Sequence, residues 1–186
     1  DECFVEFLDE ERSCGCIREF LDWETGRPEH GGDLFLLRAF TKTYAMAGLR
    51  LGYLMTGDLS LLHAVAQQLP EWNVSSIAQR AGISALQDTE YEKRTRQLIE
   101  KERRYLIQEF LKMGCTVFPS EADYITFRLP QEKTGFLLKE RLLEGKILIR
   151  SCANYRNMPP DCYRIAVKQH ADNEELVRQV WRILIQ

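Results

Sequence analysis

The chain has 186 residues, with 25 Lys and Arg against 28 Asp and Glu for a formal net charge of −3, and 45% of its residues are hydrophobic. That length allows about one domain, or one with a small second, and the apolar content suffices for a core and excludes dominant disorder. The charge balance leaves no footprint for a polybasic partner surface or for nucleic acid. No apolar run approaches the ~20 residues that span a bilayer, and the first residues have no basic stretch leading into an apolar one. The expectation is a cytoplasmic protein with no membrane partner. The chain starts at Asp1 without Met, which suggests a piece of something longer.

In chain order, residues 1–7 read as a strand end and 12–23 as a short helix. Residues 26–32 are rich in Gly and Pro and read as a loop. Apolar runs of strand length follow at 34–40 and 51–56. Helices are predicted over 59–69, ended by Pro70, over 76–87, and from 91 to about 113, stopping at Gly114. In the last of these, Leu98, Tyr105, Leu106, Phe110 and Leu111 are expected to form one buried stripe. Beyond it come strands at 115–118 and 124–128, a helix at 136–143, strands at 147–150 and 163–167, and a closing helix at 173–185. The pattern is α/β, with a β-β-α-β-β-α unit after a boundary near Pro119 and Ser120 or inside the long helix.

The six cysteines include no CxxC, and Cys14-Gly15-Cys16 is too tight for a structural zinc pair. They read as reduced thiols, and no metal site is expected. The three histidines, His30, His63 and His170, read as structural or solvated, with Asp172 or Asn173 expected to cap the last helix. The acidic pairs Glu10-Glu11 and Glu174-Glu175 read as solvated faces.

The stretch with chemical content is FTKTYAMAGLRLGY, residues 40–53. Lysine can form an imine with an aldehyde cofactor. The planar fork of an arginine eight residues later suits a phosphate. Spacing alone leaves open that Lys42 and Arg50 are a solvated surface pair.

The stretch resembles the lysine motif of fold-type I pyridoxal-phosphate aminotransferases, in the form found in the histidinol-phosphate aminotransferase branch. The resemblance implies that Lys42 is the Schiff-base lysine and Arg50 a ligand of the cofactor phosphate. Where the family often has Ser or Thr touching that phosphate the chain has Ala39, with Thr41 offering a hydroxyl nearby. The opening DECFVEF is similar to the family's DEAYxxF, which implies that Asp1 pairs with the pyridine nitrogen and so supports the ring as an electron sink. Phe4 stands where the family has Tyr and cannot donate a hydrogen bond to the ring hydroxyl.

QLPEWNVSSIAQ, residues 68–79, resembles a family segment near the cofactor and the dimer partner, with Trp72 expected to pack at the edge of the site. IRSCANY (149–155) and YRIAV (163–167) resemble threonine-phosphate decarboxylases, relatives that act in cobalamin side-chain synthesis. That likeness implies that Arg164 binds the substrate α-carboxylate and Arg150 the substrate phosphate.

The resemblance implies a fold made of the C-terminal part of the large pyridoxal-phosphate transferase domain with its linking helix, residues 1–113, and a small α/β domain, residues 114–186. It covers about the C-terminal half of the family's length. The glycine turn cradling the cofactor phosphate, the aromatic stacking on the ring and the Asn contacting its hydroxyl would all lie in the missing half. The full-length protein is therefore expected to be a homodimeric lyase or transaminase acting on a small amino acid phosphate. The 186 residues alone are expected to be inactive, and a non-catalytic remnant is the reading from a different class.

Overall fold

The computed structural model describes residues 1–8, 21–22, 27–28, 35–133, 135 and 137–185. The expected helix at 12–23 lies outside these residues except at its end, where Leu21–Asp22 (β1) pairs antiparallel with Arg27–Pro28 (β2). The first of these pairs is a strand rather than a helix end, and the second lies within the expected loop. His30, Cys14, Cys16 and Glu10-Glu11 are also outside the described residues. The chain divides into two compact units, Asp1–Arg96 and Gln97–Gln186.

The first unit is built on the hairpin of Phe35–Ala39 (β3) and Gly52–Thr56 (β4), in register from Phe35 opposite Thr56 to Ala39 opposite Gly52. Residues 1–7 are not a strand end. The Cys3 N–H donates to Asp1 Oδ1 at 3.0 Å and the chain then coils into a 3-10 turn at Val5–Phe7. A short polar side chain that bonds the backbone two residues on favours such turns over extended structure. Only Glu2 stays sheet-like, its N–H donating to the Leu37 carbonyl at 2.8 Å.

Helix α1, Leu59–Gln68, starts at Asp58, whose carboxylate accepts the Leu61 N–H. Helix α2, Ser76–Gln87, starts at Ser75, whose hydroxyl accepts the Ala78 N–H. These caps satisfy amides that have no partner inside the helix. α2 approaches the hairpin closely at Gly82, where a Cβ would stand 2.6 Å from Leu51 Cδ2. The core of this unit comprises Val5, Phe7, Leu36, Phe40 and Ala78. α1 buries no residue, and Trp72 is 93% exposed among the described residues.

Helix α3, Thr89–Lys112, spans the division between the units. It ends at Gly114, which takes φ +78° while Cys115 and Gly114 donate to the Phe110 and Leu111 carbonyls; this is the 6→1 and 5→2 pattern of a Schellman cap. Its buried stripe is Ile99, Glu102, Leu106 and Phe110. Leu98 and Leu111, expected inside, are 39% and 54% exposed. The phase differs because the stripe includes a carboxylate, Glu102, that apolar periodicity passes over. Glu102 accepts hydrogen bonds from Asn173 Nδ2 and pairs with His170 Nδ1, each at 3.0 Å.

The second unit carries a four-stranded antiparallel sheet, Thr116–Val117 (β5), Tyr124–Arg128 (β6), Arg150–Ser151 (β7) and Cys162–Ala166 (β8), in the order β5-β6-β8-β7. Alternation along the strands puts Ile125, Phe127, Tyr163 and Ile165 into the core. Phe127 meets Phe110 of α3 at 4.3 Å between ring centroids. Leu138 and Leu142 of α4 (Leu138–Glu144) and Val180 of α5 (His170–Ile185) are also buried.

The strand expected at 147–150 is confined to Arg150–Ser151, because the preceding residues cap α4. Lys146 takes φ +62°, and Ile147 and Lys146 donate to the Leu142 and Leu143 carbonyls, each at 2.9 Å, another Schellman cap. α5 begins at His170, three residues before the expected start. Asn173 reaches back to accept the Lys168 N–H at 3.1 Å instead of opening the helix. The four described cysteines are free thiols; burial pushes that of Cys115 up to about 12. Among the described residues no helix is long and apolar enough to cross a membrane.

Candidate active site

Lys42 lies in the tight turn after β3. The turn is closed by Phe40 N–H donating to Leu51 O, Ala45 N–H to Lys42 O and Met46 N–H to Phe40 O. Lys42 is exposed while its neighbour Thr43 is 2% exposed, so the turn is fastened beside the lysine and the amine is left accessible. Lys42 Nζ sits 5.4 Å from the centroid of the Phe4 ring, which brings the segment bearing Asp1 to the lysine. Asp1 is exposed, its carboxylate turned to its own backbone.

Arg50 ends a 3-10 turn, Ala47–Leu49, in the left-handed conformation at φ +53°. It is exposed and Nη1 donates to the Ala47 carbonyl at 2.9 Å. Two residues later, a Cβ on Gly52 would stand 2.8 Å from the Arg38 carbonyl oxygen. Only glycine lets the two strands approach this closely behind the lysine turn.

The fastening of the N-terminal segment was not legible in the motif. Arg38 Nε donates to Glu2 Oε2 at 2.9 Å, and its Nη1 stands 3.9 Å from Glu6 Oε1. Thr43 Oγ1 donates to Glu6 Oε2 at 3.5 Å, and Arg96 Nε to the Glu6 carbonyl at 3.0 Å. Burial raises the Glu6 pKa against the pull of Arg38. Burial also pushes Tyr44 up to about 12, helped by Glu92 and Glu6, so its phenol stays protonated. The available sign was a charged Arg38 within an otherwise apolar strand.

In the second unit Arg150 and Arg164 are cross-strand partners on β7 and β8, and Thr126 of β6 is opposite Arg164 on the other side. Directly paired Cα atoms are about 4.5–5.5 Å apart, and like charges in such pairs are destabilising. The arginine heads turn apart. Arg164 lies over the Tyr124 ring at 4.8 Å, toward the end of the sheet where Tyr124 pairs with Ala166. Arg150 turns toward the opposite end, where its Nη2 donates to Asn154 Oδ1 at 2.9 Å and its guanidinium lies 5.5 Å from the Tyr155 ring centroid. Among the described residues neither guanidinium forms an ion pair with a carboxylate. Burial raises the Cys152 pKa against the pull of Arg164 and Arg150, which keeps that thiol protonated. Two uncompensated, diverging guanidiniums can take two separate anionic groups.

The mixed helix and sheet fold is that of the pyridoxal-phosphate aminotransferases of fold type I. The chain belongs to the class I and II aminotransferase family, whose model matches residues 1–180. It is 34% identical over 185 residues to the threonine-phosphate decarboxylase of Salmonella typhimurium, covering 99% of this chain and 48% of that protein. The histidinol-phosphate aminotransferase of Clostridium acetobutylicum superposes with a TM-score of 0.85 at 31% identity, over all of this chain and 53% of that one. The histidinol-phosphate aminotransferase of Sinorhizobium meliloti, solved in complex with pyridoxal-5'-phosphate, has the same fold, with a TM-score of 0.82 at 20% identity over all of this chain and 48% of that one. The chain therefore spans about half the length of the relatives it matches.

Proposed function

We propose that this chain is the C-terminal half of a pyridoxal-phosphate enzyme acting on an amino acid phosphate, and that the reaction is decarboxylation of threonine phosphate in cobalamin biosynthesis. The observation that carries the substrate class is the divergence of Arg150 and Arg164. One guanidinium is free for a carboxylate and one for a phosphate, as a molecule with an anion at each end requires. In this reading residues 1–113 belong to the cofactor domain and residues 114–186 form the small domain. The enzyme works as a cytoplasmic homodimer.

The donor set of the first unit fits the cofactor by its chemistry: an accessible amine at Lys42 for the aldehyde, a guanidinium at Arg50 for the phosphate and a carboxylate at Asp1 for the ring nitrogen. When bound, pyridoxal phosphate supplies the electron sink for the bond broken at the substrate α-carbon. Lys42 would hold the cofactor through its amine, and the same amine would serve as the acid or base at that carbon. Phe4 contributes an apolar floor under the lysine instead of a phenolic hydrogen bond. Arg164 binds the α-carboxylate, and the way it holds that group decides whether carbon dioxide or the α-proton leaves. Arg150 binds the substrate phosphate.

The identity to the Salmonella decarboxylase favours loss of carbon dioxide. The superposition on the Clostridium histidinol-phosphate aminotransferase supports a second reading, amino-group transfer. Incubating the full-length protein with pyridoxal phosphate, threonine phosphate and 2-oxoglutarate separates the two. The expected result is carbon dioxide release with no 2-oxoglutarate consumed. Amino transfer to 2-oxoglutarate without carbon dioxide would replace the first reading by the second, and neither product would support the remnant.

A further inference from the structure

The loop 152–161 joins β7 to β8 and is fastened at both ends. At the β7 end Cys152 N–H donates to the Cys162 carbonyl at 2.9 Å, and both cysteine side chains are fully buried. At the β8 end Leu129 N–H donates to the Asp161 carbonyl at 3.2 Å. Arg128 Nε donates to Asp161 Oδ2 at 2.9 Å, with the Asp161 side chain 2% exposed. Between these anchors Tyr155 N–H bonds the Cys152 carbonyl and Met158 N–H the Tyr155 carbonyl, so the loop is a succession of turns.

Two exposed residues of this well-anchored loop meet Arg150. Asn154 Oδ1 accepts one of the guanidinium's N–H groups and the Tyr155 ring lies against it. A guanidinium has five N–H donors, so most remain for a ligand. Both partners are neutral. A carboxylate in their place would restrain the head equally well but would compete with an anionic ligand for its charge. Asn154 and Tyr155 restrain the arginine while leaving its charge uncompensated, and the ordering of a long side chain is then not charged to ligand binding. Among the described residues no side-chain amide holds Arg164, which leans on Tyr124.

We infer that Asn154 and Tyr155 are positioning residues that make Arg150 selective for a phosphate group. This rests on the reading that Arg150 takes the phosphate of an amino acid phosphate. The test compares carbon dioxide release from threonine phosphate and from threonine by the full-length protein carrying N154A, Y155L, Y155F or R150Q. N154A and Y155L are each expected to raise KM for threonine phosphate about tenfold with kcat held within twofold, and to shrink the preference over threonine by the same factor. Y155F keeps the ring and is expected to keep the wild-type values. Both positions are exposed, and a thermal melt confirms that the variants fold. If R150Q abolishes the preference while N154A and Y155L leave KM within twofold, the inference is overturned and the role of Arg150 stands. If R150Q also leaves the preference intact, the role of Arg150 fails and the inference with it.

Discussion

Replacing Arg164 by glutamine is expected to lower kcat/KM of the full-length protein for threonine phosphate by about 10²–10⁴. A bidentate bond between guanidinium and carboxylate comprises two charge-assisted hydrogen bonds of about 1.5–3 kcal/mol each, and every 1.4 kcal/mol is about tenfold. The loss should be the same for threonine and threonine phosphate, because both carry the α-carboxylate. R150Q is expected to cause a loss of similar size for threonine phosphate and a much smaller one for threonine. The opposed leanings of the two heads, toward Tyr124 and toward Asn154 and Tyr155, predict this split. Equal losses for both substrates in both variants would mean that the pair binds one anion as a single chelate.

The second large effect is on stability. Glu102 is buried in α3 and holds Asn173 and His170 at the start of α5. Glu102→Ala leaves the Asn173 amide without that acceptor, and unfolding in urea should show a loss of about 2–3 kcal/mol. The pH dependence has a definite sign. Burial alone would raise the Glu102 pKa, but the bonds from Asn173 and His170 outweigh it and hold the carboxyl below the ordinary glutamate value. A carboxyl with a depressed folded pKa contributes stability that is present above its unfolded pKa and is lost as the pH falls through the folded value. Glu102→Gln should therefore lose stability less steeply than the wild type below the ordinary glutamate range. Identical acid slopes would show that Glu102 carries no such linkage.

How far the fold could be read depended on whether local chemistry set each boundary. Ser75, Asp58 and Gly114 are local signals, and the helices begin and end beside them. Tyr124–Arg128 alternates between the two faces of its sheet and matches its predicted span. The errors arose where a side chain or cap engaged the backbone differently: Asp1 turning the chain ahead of the 3-10 turn at Val5–Phe7, Ile147 used to cap α4, and Glu102 displacing the α3 stripe. Lys42 and Arg50 were visible because their motif is contiguous. That Arg150 and Arg164 lie on adjacent strands was expected from the likeness, but that they stand directly opposite one another was not, because register across a loop of ten residues depends on how that loop is anchored. Asn154 and Tyr155 could be quoted from the motif without any sign of what they touch.

In the proposed function Lys42 carries the cofactor, and covalent mapping can locate the attachment. The full-length protein, incubated with pyridoxal phosphate and reduced with borohydride, is digested and its peptides are weighed. One reduced cofactor per chain is expected, on the peptide bearing Lys42, with no stoichiometric label anywhere in the Lys42→Ala variant. Label spread over several surface lysines, or undiminished by that substitution, would contradict it.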